Sequence, residues 1–179
     1  MNRRLRRDLL ARMAADQRAR LAWQAGEIEW AAVHEIDVAN TVRMREVVEA
    51  YGWPGHKLVG EDGAHAAWLL VQHSGLDFMR LCLPLMTSAV REGDAAGKYL
   101  AYLVDRVRTS CEQPQLYGTQ YLSVDGGPLE LLPVADPAGL DERRAAVGLG
   151  PHAEHDAAMR ADAERRRAAR QGGLADDVI

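Results

Sequence analysis

The segment His65-Ala-Ala-Trp-Leu-Leu-Val-Gln-His73 constrains the fold of this chain most. It has the length of a helix and is apolar around nearly its whole circumference, so other elements have to enclose it. Yet it carries two histidines and a glutamine, with Glu61 one turn upstream. Polar groups removed from water cost free energy unless they find partners. This helix therefore marks both the centre of the fold and the place to look for a site.

The enclosing elements read mainly as helices. Residues 3–24 carry a stripe of Leu10, Met13, Gln17 and Leu21, with Gly26 as the break after it. Residues 30–51 carry Val33, Ile36, Asn40, Met44, Val47 and Tyr51, and Gly52-Trp53-Pro54-Gly55 ends that run. The central helix is expected to start near Gly60-Glu61-Asp62, where acidic residues suit the positive end of the helix dipole, and to stop near Gly75. A fourth helix over 77–92 buries Phe78, Leu81, Cys82, Leu85, Met86 and Val90, with a kink or late start at Pro84. Asp94 is a candidate N-cap for a fifth helix over 95–111, which buries Leu100, Leu103, Val104 and Val107.

The pattern then changes. Residues 115–123 and 129–134 read as strands joined through Asp125-Gly126, a hairpin signal. Asp141 begins a short helix through Val147, and a charged helix follows from His152 to Arg170. The expected fold is mainly α, a packed domain of five to seven helices with one β-hairpin near residues 115–134. Residues 1–155 form the domain, and 156–179 form a charged helix with a disordered tail.

Composition narrows the function by exclusion. The net charge of −4 offers no general attraction to nucleic acid or to an anionic membrane. Cys82 and Cys111 lack the spacing of a disulfide framework or a metal motif and read as buried hydrophobes. The basic N-terminus is not followed by an apolar signal core, and the longest apolar run, Ala66 to Val71, is too short to span a bilayer. A cytoplasmic location follows, with a small-molecule or peptide ligand as the partner. Phosphate-loop, dinucleotide-binding, serine-elbow and catalytic Cys/His motifs are missing.

The candidate chemistry begins on the central helix. Glu61, His65 and Gln72 project within about 40° of one another around the axis, and Glu61 and His65 have i,i+4 spacing. A carboxylate bonded to an imidazole fixes its tautomer and raises its basicity, which makes a general base. The same pair suits two ligands of a metal ion. His65 and His73 are about 12 Å apart along the axis, too far to share one ion. Trp68 reads as core or pocket wall. Gln17 and Asn40 interrupt apolar stripes and point to a shared polar network, which Asp37 and Arg43 can join. On the fifth helix, Asp105 and Arg106 lie at the edges of the apolar face. Arg106 lies on the side of Tyr99 and Tyr102, placed to clamp an anionic group. In Gln115-Leu-Tyr-Gly-Thr-Gln120, Gly118 marks a bulge or close backbone approach. Gln120 and Tyr117 are candidates to read a substrate there; a plain hairpin is the rival reading.

Taken together, these motifs resemble a bacterial domain family of unknown function. The likeness rests on Leu10-x-x-Met13-x-x-Asp16-Gln17-x-x-Arg20, Asp37-x-x-Asn40-Thr41, Gly52-Trp53-Pro54, Val59-Gly60, Ala66 to His73, Leu100 to Arg106, and Gln115 to Gln120. It covers roughly residues 5 to 155. The resemblance implies no reaction and no cofactor. It does imply that the polar residues singled out by burial belong to shared motifs. His65 is the weakest match, which moves weight toward Gln72 and His73.

Three readings follow. One is a small enzyme with His73 as general acid/base, in which Gln72, Asn40, Asp105 and Gln120 orient a small molecule or modified peptide in a buried polar pocket. Another is a non-catalytic binding or accessory protein that uses the same pocket or the Arg-rich C-terminal helix. The last is a metal-dependent hydrolase centred on Glu61 and His65.

Overall fold

A computed structural model describes the backbone of residues 1–123 and 127–173 and the side chains through residue 168. Helices dominate: α1 (Arg3–Gln24), α2 (Trp30–Tyr51), α3 (His56–Gln72), α4 (Leu76–Arg91) and α5 (Gly97–Thr109), then α6 (Leu140–Ala146) and α7 (His152–Gly173). One antiparallel hairpin, β1 (Tyr121–Leu122) with β2 (Glu130–Leu131), lies between α5 and α6. The fold is mainly α, as its sequence pattern implies. The Asp125-Gly126 turn and the tail from residue 174 lie outside the described residues. No helix among the described residues is long and apolar enough to cross a membrane.

α3 is the hub, packed against α1, α2, α4 and α5. Its Val59, Ala66, Ala67, Leu70 and Val71 join Leu9, Met44, Val47, Phe78, Cys82, Met86, Leu103 and Val107 in one core. Full burial of side chains the size of Leu70 or Phe78 contributes roughly 1.5–3 kcal/mol each.

Several elements depart from the periodicity in instructive ways. α1 turns a different face inward: Leu5, Leu9, Asp16 and Ala19 are buried, whereas Gln17 and Leu21 are exposed. The buried polar residue of α1 is therefore Asp16. α3 begins at His56, a turn earlier than expected, and Gly60 breaks its helical path with φ 76°. The acidic pair Glu61-Asp62 marks the resumption after this break. Asp94 does not cap α5. Its carboxylate accepts from the Lys57 N–H at 2.7 Å and its carbonyl from the His56 N–H at 2.8 Å, which satisfies the start of α3. Gly55 is required there, since a Cβ would lie 2.4 Å from Asp94 oxygens. Leu81 on α4 and Tyr51 on α2 are exposed.

Segment 115–134 makes much less strand than its composition implies. Its amides are diverted from the ladder: Leu116, Tyr117 and Thr119 all donate to the Asp105 carboxylate. Gly118, between them, has φ 64°, which breaks the extended path.

Candidate functional site

His73 caps the C-terminal end of α3, where the chain leaves the core and its side chain stays 18% exposed. Two carboxylates converge on it from α1 and α2. Asp16, 1% exposed, places its oxygens 2.9 and 3.1 Å from His73 Nδ1. Arg20, one turn further along α1, donates from Nε to Asp16 at 3.2 Å and from a terminal nitrogen to Asp37 at 2.6 Å. Gln17 also donates to Asp16, at 2.8 Å.

The hydrogen count at His73 selects a tautomer. Arg20 Nε lies 3.1 Å from Nδ1 and would need it as an acceptor. Asp16 has only acceptors to offer an imidazole and needs Nδ1 as a donor. Nδ1 cannot do both. Arg20 already has Asp16 and Asp37 as acceptors, so the arrangement that satisfies every group puts the proton on Nδ1. In the neutral ring this leaves the lone pair on Nε2, which has no hydrogen bond to the described residues.

The carboxyl groups are driven in opposite directions. Burial alone would raise Asp16, but the hydrogen bond and charge of His73, with Gln17 and Arg20, outweigh it and hold Asp16 below the ordinary carboxylate range. For Asp37 burial wins over the Arg20 ion pair, and its carboxyl is pushed up. Asp16, Asp37 and His73 also offer ligand atoms within 4.8 Å of one another, a set able to hold a cation. The Arg20 guanidinium already stands among these three groups and supplies positive charge to both carboxylates.

Further buried polar groups surround this cluster. Asn40, 3% exposed, accepts from Arg12 at 3.2 Å, while its Nδ2 has no partner. Gln72, 4% exposed, has no partner at either amide atom. Arg106 is half-buried, its Nε is shielded from solvent and unpartnered, and its side chain makes no hydrogen bond or ion pair among the described residues. Burial, and secondarily the charge of Arg20, lower its pKa. Two surface hollows, one including Asp8, Arg43 and Tyr51 and the other Thr109, Pro114 and Leu132, contain none of the cluster residues.

The structure sorts the residues singled out from sequence into three groups. His73, Asp37, Asn40 and Gln72 occupy one end of α3 with Asp16 and Arg20. His65 is elsewhere: its ring stacks on Tyr99 at 5.0 Å and Trp68 at 5.5 Å, and burial, then Lys98, lower its pKa. Glu61 is exposed and makes no hydrogen bond to His65. The hydrogen bond that would make Glu61 and His65 a base pair is therefore not formed among the described residues. Neither histidine is fully buried.

Asp105, Gln120 and Tyr117 form the remaining group, and their polar groups organise the 115–120 loop. Asp105 is 0% exposed and accepts from the Leu116, Tyr117 and Thr119 amides and from Thr119 Oγ1, so both oxygens are committed. Gln115 binds the backbone of Gln120 and Leu132, and Gln120 donates to Thr119 Oγ1 at 3.0 Å. Buried Arg144 donates to the carbonyls of Tyr117 and Gly150. A Cβ on Gly118 would meet the His152 ring at 2.6 Å. Trp68 is an aromatic wall, stacked on Tyr99 at 4.5 Å.

Asp16 and Arg20 are the site residues that periodicity missed. Their signal was the i,i+4 spacing inside a shared motif, one position off the stripe taken to face inward. A family model described as "Family of unknown function (DUF6624)" matches residues 3–164. No curated protein and no solved structure matches the chain.

Proposed function

Since the chain belongs to DUF6624, a family of unknown function, its chemistry has to be read from its own residues, and we propose that it is a small cytoplasmic enzyme in which His73 acts as general acid/base on a small molecule or modified peptide. One observation carries the reading: the 2.9 Å contact between His73 Nδ1 and a carboxylate that is 1% exposed. Asp16 holds the Nδ1 proton and orients the ring, so Nε2 can take a proton from a substrate hydroxyl or from water. The resulting imidazolium is stabilised by Asp16 and returns the proton from Nε2 to the leaving group. Arg20 fixes Asp16 and Asp37 relative to each other. Gln72 and Asn40 supply amide groups that still seek partners.

Turnover of a panel of small esters, amides and phosphoesters tests this reading. His73→Gln is expected to lower any turnover by roughly 10²–10⁴-fold, the usual range for a positioned general base. Turnover unaffected in His73→Gln would contradict it. The clustering of Asp16, Asp37 and His73 supports a second reading, a cation site entered when Arg20 swings out. Turnover that requires added Zn²⁺ or Mn²⁺ and disappears with a chelator would favour that reading.

A further inference from the structure

Several buried side-chain polar atoms on α2, α3 and α5 lack partners. Arg106 Nε, Gln72 Nε2, Trp68 Nε1 and Asn40 Nδ2 are donors; Gln72 Oε1 is the single acceptor among them. The least tolerable member of such a set is Arg106, a half-buried guanidinium whose Nε is shielded from solvent and which has no counter-charge among the described residues. Arg20 is neutralised by Asp16 and Asp37, whereas Arg106 has no carboxylate within ion-pair distance among the described residues. Its neighbour Asp105 does not help, because both of its oxygens serve the 116–119 loop.

Helix register brings these donors together. α3 and α5 run parallel, with His65 and Trp68 against Tyr99 at 5.0 and 4.5 Å, and Trp68 against Tyr102 at 5.9 Å. One turn further on, Gln72 and His73 come level with Arg106. Arg20, 3.1 Å from His73, is near enough for its charge to act on Arg106.

We infer that the ligand of this site carries a compact oxyanion, a carboxylate or a phosphate group, seated on Arg106 and met by the amide of Gln72 beside His73. The planar guanidinium matches two oxygens of either group. The inference rests on the His73 site being where ligand enters, but it does not require His73 to transfer a proton.

The test uses inorganic phosphate and sodium acetate as probes on the full chain, at ionic strength matched with chloride, followed through the NMR resonances of Arg106 Nε–H and Trp68 Nε1–H. A saturable shift of both resonances is expected with at least one probe. Saturation by phosphate alone assigns a phosphate ligand, by acetate alone a carboxylate ligand, and by both the shared oxyanion chemistry. Arg106→Gln is expected to weaken binding by at least about tenfold. Arg106→Lys, which keeps the charge and loses the fork, is expected to weaken it by at least about threefold, and it decides the matter if Arg106→Gln does not fold. Anion binding is read in the Arg106 variants without any turnover measurement, so failure here is separable from failure of the acid/base reading. Absence of saturation with both probes, or wild-type affinity in the folded Arg106 variants, overturns the inference.

Discussion

Asp105→Asn is expected to destabilise the fold by about 3 kcal/mol while leaving the His73 cluster in place. Oδ1 of Asp105 accepts from the Leu116 N–H at 2.7 Å and the Tyr117 N–H at 3.1 Å; Oδ2 accepts from the Thr119 N–H at 3.1 Å and Thr119 Oγ1 at 2.9 Å. An amide keeps one oxygen. With that oxygen at the Oδ1 position, its NH₂ faces the Thr119 N–H, donor against donor. The Thr119 hydroxyl can rotate to accept; the backbone N–H cannot. One stranded buried donor costs about 1–3 kcal/mol, and loss of charge from the two surviving bonds costs roughly 0.5–1 kcal/mol each. Urea denaturation measures the sum, and hydrogen exchange at the amides of 116, 117 and 119 localises it. A loss below about 1 kcal/mol with those amides still protected would refute the assignment of Asp105 to the loop scaffold.

Two further expectations rest on burial and charge. Asp16, held below its ordinary range, contributes stability that is complete above the unfolded pKa of about 3.9 and is lost as pH falls through its lower folded value. Asp37, pushed up, has the opposite sign: its share is complete below about 3.9 and is lost as pH rises through its folded value. Asp16→Asn should therefore cost most near neutral pH and least in acid below the folded value of Asp16, measured by urea titrations across pH; an equal cost at both ends would contradict the sign. Cys82 is fully buried, and burial pushes its thiol up to about 12, whereas Cys111 is only half-buried. Iodoacetamide at about pH 8 is expected to label Cys111 and spare Cys82 in the native protein, as read by mass spectrometry, and equal labelling would count against the packing around Cys82.

What could be read from sequence follows the range of the interactions involved. α2 shows its core face plainly, since Val33, Asn40, Met44 and Val47 recur at helical spacing and are all buried. On α1 adjacent apolar pairs such as Leu9-Leu10, and the adjacent polar pair Asp16-Gln17, let two stripes fit equally well. Only tertiary contact with α3 decides that Leu9 and Asp16 face inward. His73 was legible as a polar residue closing an apolar helix. Its partner Asp16 lies 57 positions away, beyond the reach of local spacing. Asp105 shows the opposite error. A carboxylate at the edge of an apolar face reads as a group that orients substrate, yet here it serves amides 11 to 14 residues later, folded back by Gly118. The same diversion of amides explains why, among the described residues, a segment composed like two full strands forms a ladder over Tyr121–Leu122 and Glu130–Leu131 and otherwise a single Gln115–Val134 bridge.

The central claim is that Asp16 fixes His73 with its proton on Nδ1 and its lone pair on Nε2. Long-range ¹H–¹⁵N correlation of the His73 ring, in wild type and in Asp16→Asn above the titration of the ring, tests it most directly. The expected result is the Nδ1–H tautomer in wild type and its loss or mixing with the Nε2–H form in Asp16→Asn. A neutral His73 that carries its proton on Nε2 in the wild-type protein would contradict the account.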